Sequence, residues 1–218
     1  EDLSSNPATM QAGKAADAYG LFTGHSVEQS DAEQAYIQSK LGGDPTWVQL
    51  PPERWPPEWK GMKDPVCPLI LALYGHPDSG GYWEKHCDRH LRSAGYTPIP
   101  EWPSCYWHKD LKLFLVVYVD DFKLSGPTKN LSRGWSLIRA NIRTEDPTPL
   151  GKYLGCDHRL FDLWMPAGSN FYLELLADTE PPAKGGVPAA PAVKNGDKQA
   201  LQSKAASLKA FFGTNPDR

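Results

Sequence analysis

The stretch LFLVVYVDDFKLSG, residues 113–126, decides the fold. Leu113 to Val119 is an unbroken run of seven apolar residues, Asp120-Asp121 interrupts it, and Phe122 to Leu124 resumes it. A short apolar run bounded by a polar break reads as a buried strand, so two such runs on either side of an acidic pair predict a β-hairpin with two carboxylates at its tip. A hairpin that needed only a turn would use Asn-Gly or Asp-Gly. Two adjacent acids repel, and the buried approach strand fixes where they stand, so the pair calls for a counter-ion. A hard divalent cation with oxygen ligands answers that need; magnesium characteristically takes one or two protein carboxylates together with substrate phosphates and water.

Working outward, His25 to Asp31 reads as a second strand ending in an acid, with a helical stretch from Ala32 to Leu41 after it. Strands paired in one antiparallel sheet can bring Asp31 to the Asp120-Asp121 tip. Three convergent carboxylates suit a two-metal site, in which ions about 3.5–4 Å apart clamp the attacking and leaving oxygens of a phosphoryl transfer. Asn6-Pro7 signals a helix start and Gly20 a stop, which predicts a first helix over 7–19. Ser79 caps a second helix reaching Ala94 before Gly95, with Trp83, Cys87 and Leu91 on one side and Lys85, Arg89 and Arg92 on the other. A third, over 128–143, carries Leu131, Trp135, Ile138 and Ile142 on one stripe, and a short strand follows near 152–157. The proline-rich segment 42–68, with Trp47, Trp55 and Trp59, reads as an ordered loop packed over a core edge.

Composition bounds the function classes. The net charge is −3, which argues against a protein held on nucleic acid by bulk positive charge, although basic clusters at Lys85/Arg89/Arg92 and Lys129/Arg133/Arg139/Arg143 leave room for a local groove. No apolar run approaches the roughly 20 residues of a membrane span, so no membrane partner is expected. Four cysteines scattered through a sequence of cytosolic character are expected to be reduced. Cys87-x-x-His90 and Cys105-x-x-His108 offer four zinc ligands on paper, the basis of an alternative reading as a zinc-organised interaction module. The first pair falls in a helix and the second in a strand, without the knuckle turns such sites use, so buried thiols and ordinary histidines are the plainer reading.

The expected domain layout is a folded body over 1–165, an irregular Pro-, Ala- and Gly-rich linker over 166–197, and a C-terminal helix over 198–213 with Leu201, Ala205, Leu208 and Phe212 on one face.

Tyr118-Val119-Asp120-Asp121, with its apolar approach, resembles the catalytic hairpin of reverse transcriptases. Three further stretches resemble the copia-type (pseudoviral) LTR retrotransposon branch in the expected order. QSDAEQAYIQSKL (29–41) resembles the segment holding the first catalytic aspartate, LALYGHPDSGGYWEKH (71–86) the Leu-Tyr-Gly motif with a Trp eight residues after the Gly, and PLGKYLGCDH (149–158) the Gly-rich strand that supports the primer end. The resemblance covers about residues 6–160. It implies an α+β palm, an antiparallel sheet with helices on one face, and an RNA-directed DNA polymerase using two Mg2+ ions, with Mn2+ as a substitute.

Asp31, Asp120 and Asp121 become the catalytic metal ligands. Tyr36 becomes the aromatic that blocks a ribose 2′-hydroxyl, against the alternative of a core tyrosine, and Tyr118, Leu154 and Gly155 become template-primer contacts. The implied partners are an RNA or DNA template with its primer, deoxynucleoside triphosphates, and other segments of the same polyprotein, including ribonuclease H and integrase. The implied setting is cytoplasmic, with virus-like particles and nuclear entry of the element. Two departures stand out. Asp78 occupies the place of the family's nucleotide-contacting glutamine, and the upstream fingers segment with its triphosphate-binding cations is missing, so the sequence reads as a fragment. The alternative consistent with these departures is an inactive palm remnant that folds and binds nucleic acid.

Overall fold

The computed structural model describes residues 5–160. The linker expected at 166–197 and the helix expected at 198–213 lie outside them. In chain order the elements are α1 (Met10–Gly20), β1 (His25–Asp31), the two-residue strands β2 (Trp47–Val48) and β3 (Cys67–Pro68), α2 (Ser79–Ser93), β4 (Tyr96–Pro98), β5 (Cys105–His108), β6 (Leu113–Tyr118), β7 (Asp121–Pro127), α3 (Thr128–Arg139), β8 (Thr148–Pro149), β9 (Lys152–Tyr153) and β10 (Cys156–Asp157). Six strands form one antiparallel sheet in the order β4-β5-β6-β7-β1-β8, so the body is α+β as expected, with three helices.

The alternation of β6 and β7 divides the core in two. Leu113, Leu115 and Val117 on β6, with Phe122 and Leu124 on β7, pack against Trp83, Cys87 and Leu91 of α2 and Leu131, Trp135 and Ile138 of α3. The opposite face carries Phe114, Val116, Lys123 and Ser125, and α1 packs there: Asp17 pairs with Lys123, and Gly13 lies 3.9 Å from the Lys123 Nζ when given a Cβ. This corrects the expectation of three helices on one face. Helix α1 has an Ala-rich stripe that fits either side of a sheet, and the buried lysine of β7 selects the side bearing an aspartate.

Other expectations need adjusting. Helix α1 begins at Met10, not at Pro7, because Thr9 is itself extended, its hydroxyl accepts from the Ala12 amide, and Ala8 N donates to Val117 O at 3.1 Å. Ser79 begins α2 but does not cap it: its hydroxyl donates to Leu73 O (2.7 Å) and accepts from Leu73 N (2.9 Å), tying the helix to the preceding loop. The helix expected after Asp31 shrinks to a single tight turn, Ala35–Gln38, because Ala32 and Glu33 continue in extended pairing with Thr144 and Arg143 and Gln34 then takes a left-handed conformation.

Segment 42–68 is ordered through the β2–β3 ribbon, yet none of its tryptophans is buried and Trp47 lies exposed. The expected strand at 152–157 is not part of the main sheet. Thr148–Pro149 takes the edge beside β1, and β9 and β10 form a separate hairpin closed by Leu154 (φ 48°) and Gly155 (φ 79°), positive values at both central positions.

Candidate active site

Three elements bring the acids together. β1 and β7 run antiparallel in a register that places Asp31 directly opposite Asp121, and β6 pairs Tyr118 with Asp121, leaving Val119 and Asp120 as the two-residue tip. The backbone at this end is held from several sides. Ala32 N donates to Asp120 O at 2.7 Å, and Glu145 N donates to Asp31 O at 2.9 Å. Val119 sits at φ 57°, a left-handed conformation that a β-branched residue adopts only under constraint. Its carbonyl accepts a 2.7 Å hydrogen bond from the Trp83 indole N–H.

The electrostatics follow from this packing. Burial first, then the charges of Asp31 and Asp120, then a hydrogen bond to the Asp31 carboxyl push the Asp121 carboxyl up to about 6. The folded state therefore binds the Asp121 proton more tightly than the unfolded chain does. The stability this proton contributes is present in full below about 3.8 and is lost as pH rises through about 6. Without divalent cations, Asp121→Asn is expected to raise stability at pH 7.5 by about 1 kcal/mol, discounted from the full linkage value because the carboxyl is half open to solvent. The gain should vanish near pH 4; urea unfolding at the two pH values measures it.

Among the described residues, no three His, Cys, Asp or Glu side chains are gathered into a group that could hold a metal ion as they stand. The donor set nevertheless fits a hard cation: the charges of Asp31 and Asp120 both raise the proton affinity of Asp121, and a divalent ion placed among them would relieve that repulsion. The zinc alternative is not supported by the geometry. Cys87 faces the α2–α3 core, whereas Cys105 pairs with Val116 on the α1 face of the sheet. His90 stacks edge-on with His86 at 4.4 Å, and His108 packs against Tyr96.

Tyr36 is half-buried at the margin of the α2–α3 core, and its ring lies 4.4 Å from that of Tyr74. Tyr74 is half-exposed and feels the Asp120 charge: burial first, then Asp120, raise its hydroxyl pKa. Tyr36 thus belongs to a wall one residue removed from the acids. Tyr118 is exposed beside them. Leu154 and Gly155 form the tip of the β9–β10 hairpin, not part of a strand, and its Tyr153 is close enough for the Asp121 and Asp31 charges to raise its hydroxyl pKa further, after burial.

Sequence reasoning missed Tyr74, the role of the Trp83 N–H, and the polar group beneath the site. Lys123, 1% exposed, pairs with Asp17 at 2.8 Å and stands 4.1 Å over the Tyr153 ring; His158 Nε2 reaches the same carboxylate at 3.3 Å. The signal was available: a lysine inside an apolar strand between Phe122 and Leu124 must have a partner. No protein-family model matches the chain, and no curated protein matches it.

Proposed function

We propose that the chain is the palm of a copia-type reverse transcriptase, with Asp31, Asp120 and Asp121 as the acids of a two-metal nucleotidyl transfer. The observation that carries this reading is the Asp31–Asp121 register pairing beside a constrained Val119–Asp120 tip, in a sequence whose four motifs resemble that family in order. Magnesium, when bound, would neutralise charge on the triphosphate and favour ionisation of the primer 3′-hydroxyl. The residues of this chain supply fixed anionic oxygens at the strand ends, and the incoming phosphates and water would complete the coordination that these carboxylates leave open. Tyr36, braced by Tyr74, would exclude a 2′-hydroxyl by bulk. Tyr118 and the Leu154–Gly155 hairpin tip would bear on the template-primer.

The test is Mg2+- or Mn2+-dependent extension of a primed RNA or DNA template, by this chain and by any longer product that its reading frame encodes. Templated extension by the longer product supports the reading; no extension by either opposes it. A second reading is favoured by Asp78 in the place of glutamine: an inactive palm remnant that binds nucleic acid. Primer-template binding without extension by the longer product would select it.

In an active polymerase, Tyr36→Ala should raise ribonucleotide incorporation relative to deoxynucleotide by about ten- to a hundredfold, the range over which pocket bulk discriminates. Mn2+ affinity should stay unchanged. An unaltered sugar preference returns Tyr36 to the core margin.

A further inference from the structure

The acidic tip is held in a conformation that its own sequence disfavours. Val119 pairs a β-branched side chain with φ 57°, a left-handed conformation that persists only where the surroundings over-determine it. Val117, two residues earlier on β6, is held on both its backbone groups: its N donates to Ser104 O at 2.9 Å, and its O accepts from Ala8 N at 3.1 Å. At the tip itself two bonds act, Ala32 N to Asp120 O from the β1 side and one from α2. Trp83 is 2% exposed, rigid within the core, and donates to Val119 O at 2.7 Å. One turn earlier on the same helix, Ser79 bonds both backbone groups of Leu73, which places Tyr74 against Tyr36. The first turns of α2 therefore anchor both the acidic tip and the aromatic wall beside it.

We infer that Trp83 is a positioning residue: its indole N–H holds the Val119–Asp120 turn and thereby sets where the Asp120 carboxylate stands relative to Asp31 and Asp121. This rests on the palm reading for its consequence, cation binding, but not for the geometry it asserts. Two reporters separate them. The Ala32 amide donates to Asp120 O, so its hydrogen exchange reads the position of the turn without any metal. Mn2+ binding, followed by electron paramagnetic resonance on the whole chain, reads the carboxylates.

Trp83→Phe keeps an aromatic ring in the core and removes the donor. Trp135→Phe is the matched control, because its indole also donates one part-buried bond, to Glu28 Oε2 at 2.7 Å, between α3 and the middle of β1, away from the tip. Trp83→Phe is expected to speed Ala32 exchange by about tenfold or more and weaken Mn2+ binding by about five- to tenfold, the size of one lost hydrogen bond to a constrained group. Trp135→Phe should leave both within about twofold of the wild type. Ala32 exchange in Trp83→Phe that matches the control overturns the inference.

Wild-type protein that binds no Mn2+ counts against the palm reading, and the Ala32 amide still decides the role of Trp83. Should Trp83→Phe fail to fold, the wild-type indole decides. A Trp83 Nε1–H exchanging as fast as that of the exposed Trp47 overturns the inference, and one protected like a buried amide upholds it.

Discussion

Asp120→Asn is expected to abolish primer extension by an active product of this reading frame, with a loss of about two to three orders of magnitude or more, since a neutral amide cannot replace an anionic ligand where charge develops. The fold should survive. Asp120 is half-exposed, and what it gives the structure is a backbone carbonyl, which the substitution leaves in place for Ala32 N. Removing one of three neighbouring acids also relieves the repulsion that raises Asp121, so the metal-free variant should unfold at the same temperature as the wild type or slightly higher. Thermal unfolding with and without Mg2+, alongside extension, separates a catalytic defect from a folding defect. Asp31→Asn should behave alike. Retained extension in either variant defeats the two-metal reading.

The largest expected effect on stability lies beneath the site. Lys123 is 1% exposed and Asp17 18%, so Asp17→Ala strands an ammonium in the sheet–α1 interior and should cost about 3–5 kcal/mol at neutral pH. Lys123→Met leaves Asp17 as the unpaired group, but that carboxylate is 18% exposed and keeps His158 Nε2 at 3.3 Å, so the variant should lose less than Asp17→Ala. The double variant should recover most of what Asp17→Ala loses.

The pH dependence has a definite sign. Burial already holds the Lys123 ammonium below its ordinary range, against the upward pull of Asp17, and without the aspartate the folded state holds that proton more weakly still. The Asp17→Ala deficit should therefore shrink as pH rises toward 10. Urea unfolding of the four proteins measures all of this. A Lys123→Met variant as damaged as Asp17→Ala would show that the pair is a net source of stability rather than a mutual obligation.

What the sequence disclosed and withheld follows from what periodicity encodes. The Leu113–Leu124 hairpin, the strand ending at Asp31, and the buried stripes of α2 and α3 were legible because each pattern has one consistent structural answer. Alternation along β6 says which residues share a face, but not which helix covers it, so the place of α1 could not be read from Ala12, Ala15 and Ala16. Nor does it give register: that Asp31 meets Asp121, and not a neighbour, depends on the whole β1–β7 ladder. The edge went to Thr148–Pro149 instead of 152–157 because paired positive-φ residues at Leu154 and Gly155 close a hairpin of their own. The Trp83–Val119 bond joins a side chain to a backbone carbonyl, and no residue pattern announces such a partner.

The β1–β7 pairing also orders events in time. β6 and β7 are joined by two residues and can zip together within microseconds, whereas β1 reaches its partner only by closing a loop of about ninety residues. The acidic tip can thus form before its third carboxylate arrives, which puts the mutual repulsion of the acids at the closure of the β1–β7 ladder. A cation that recognises the finished trio has little to bind at the barrier. It should leave the refolding rate nearly unchanged and slow unfolding instead, which would make Mg2+ a brake on the loss of the native state.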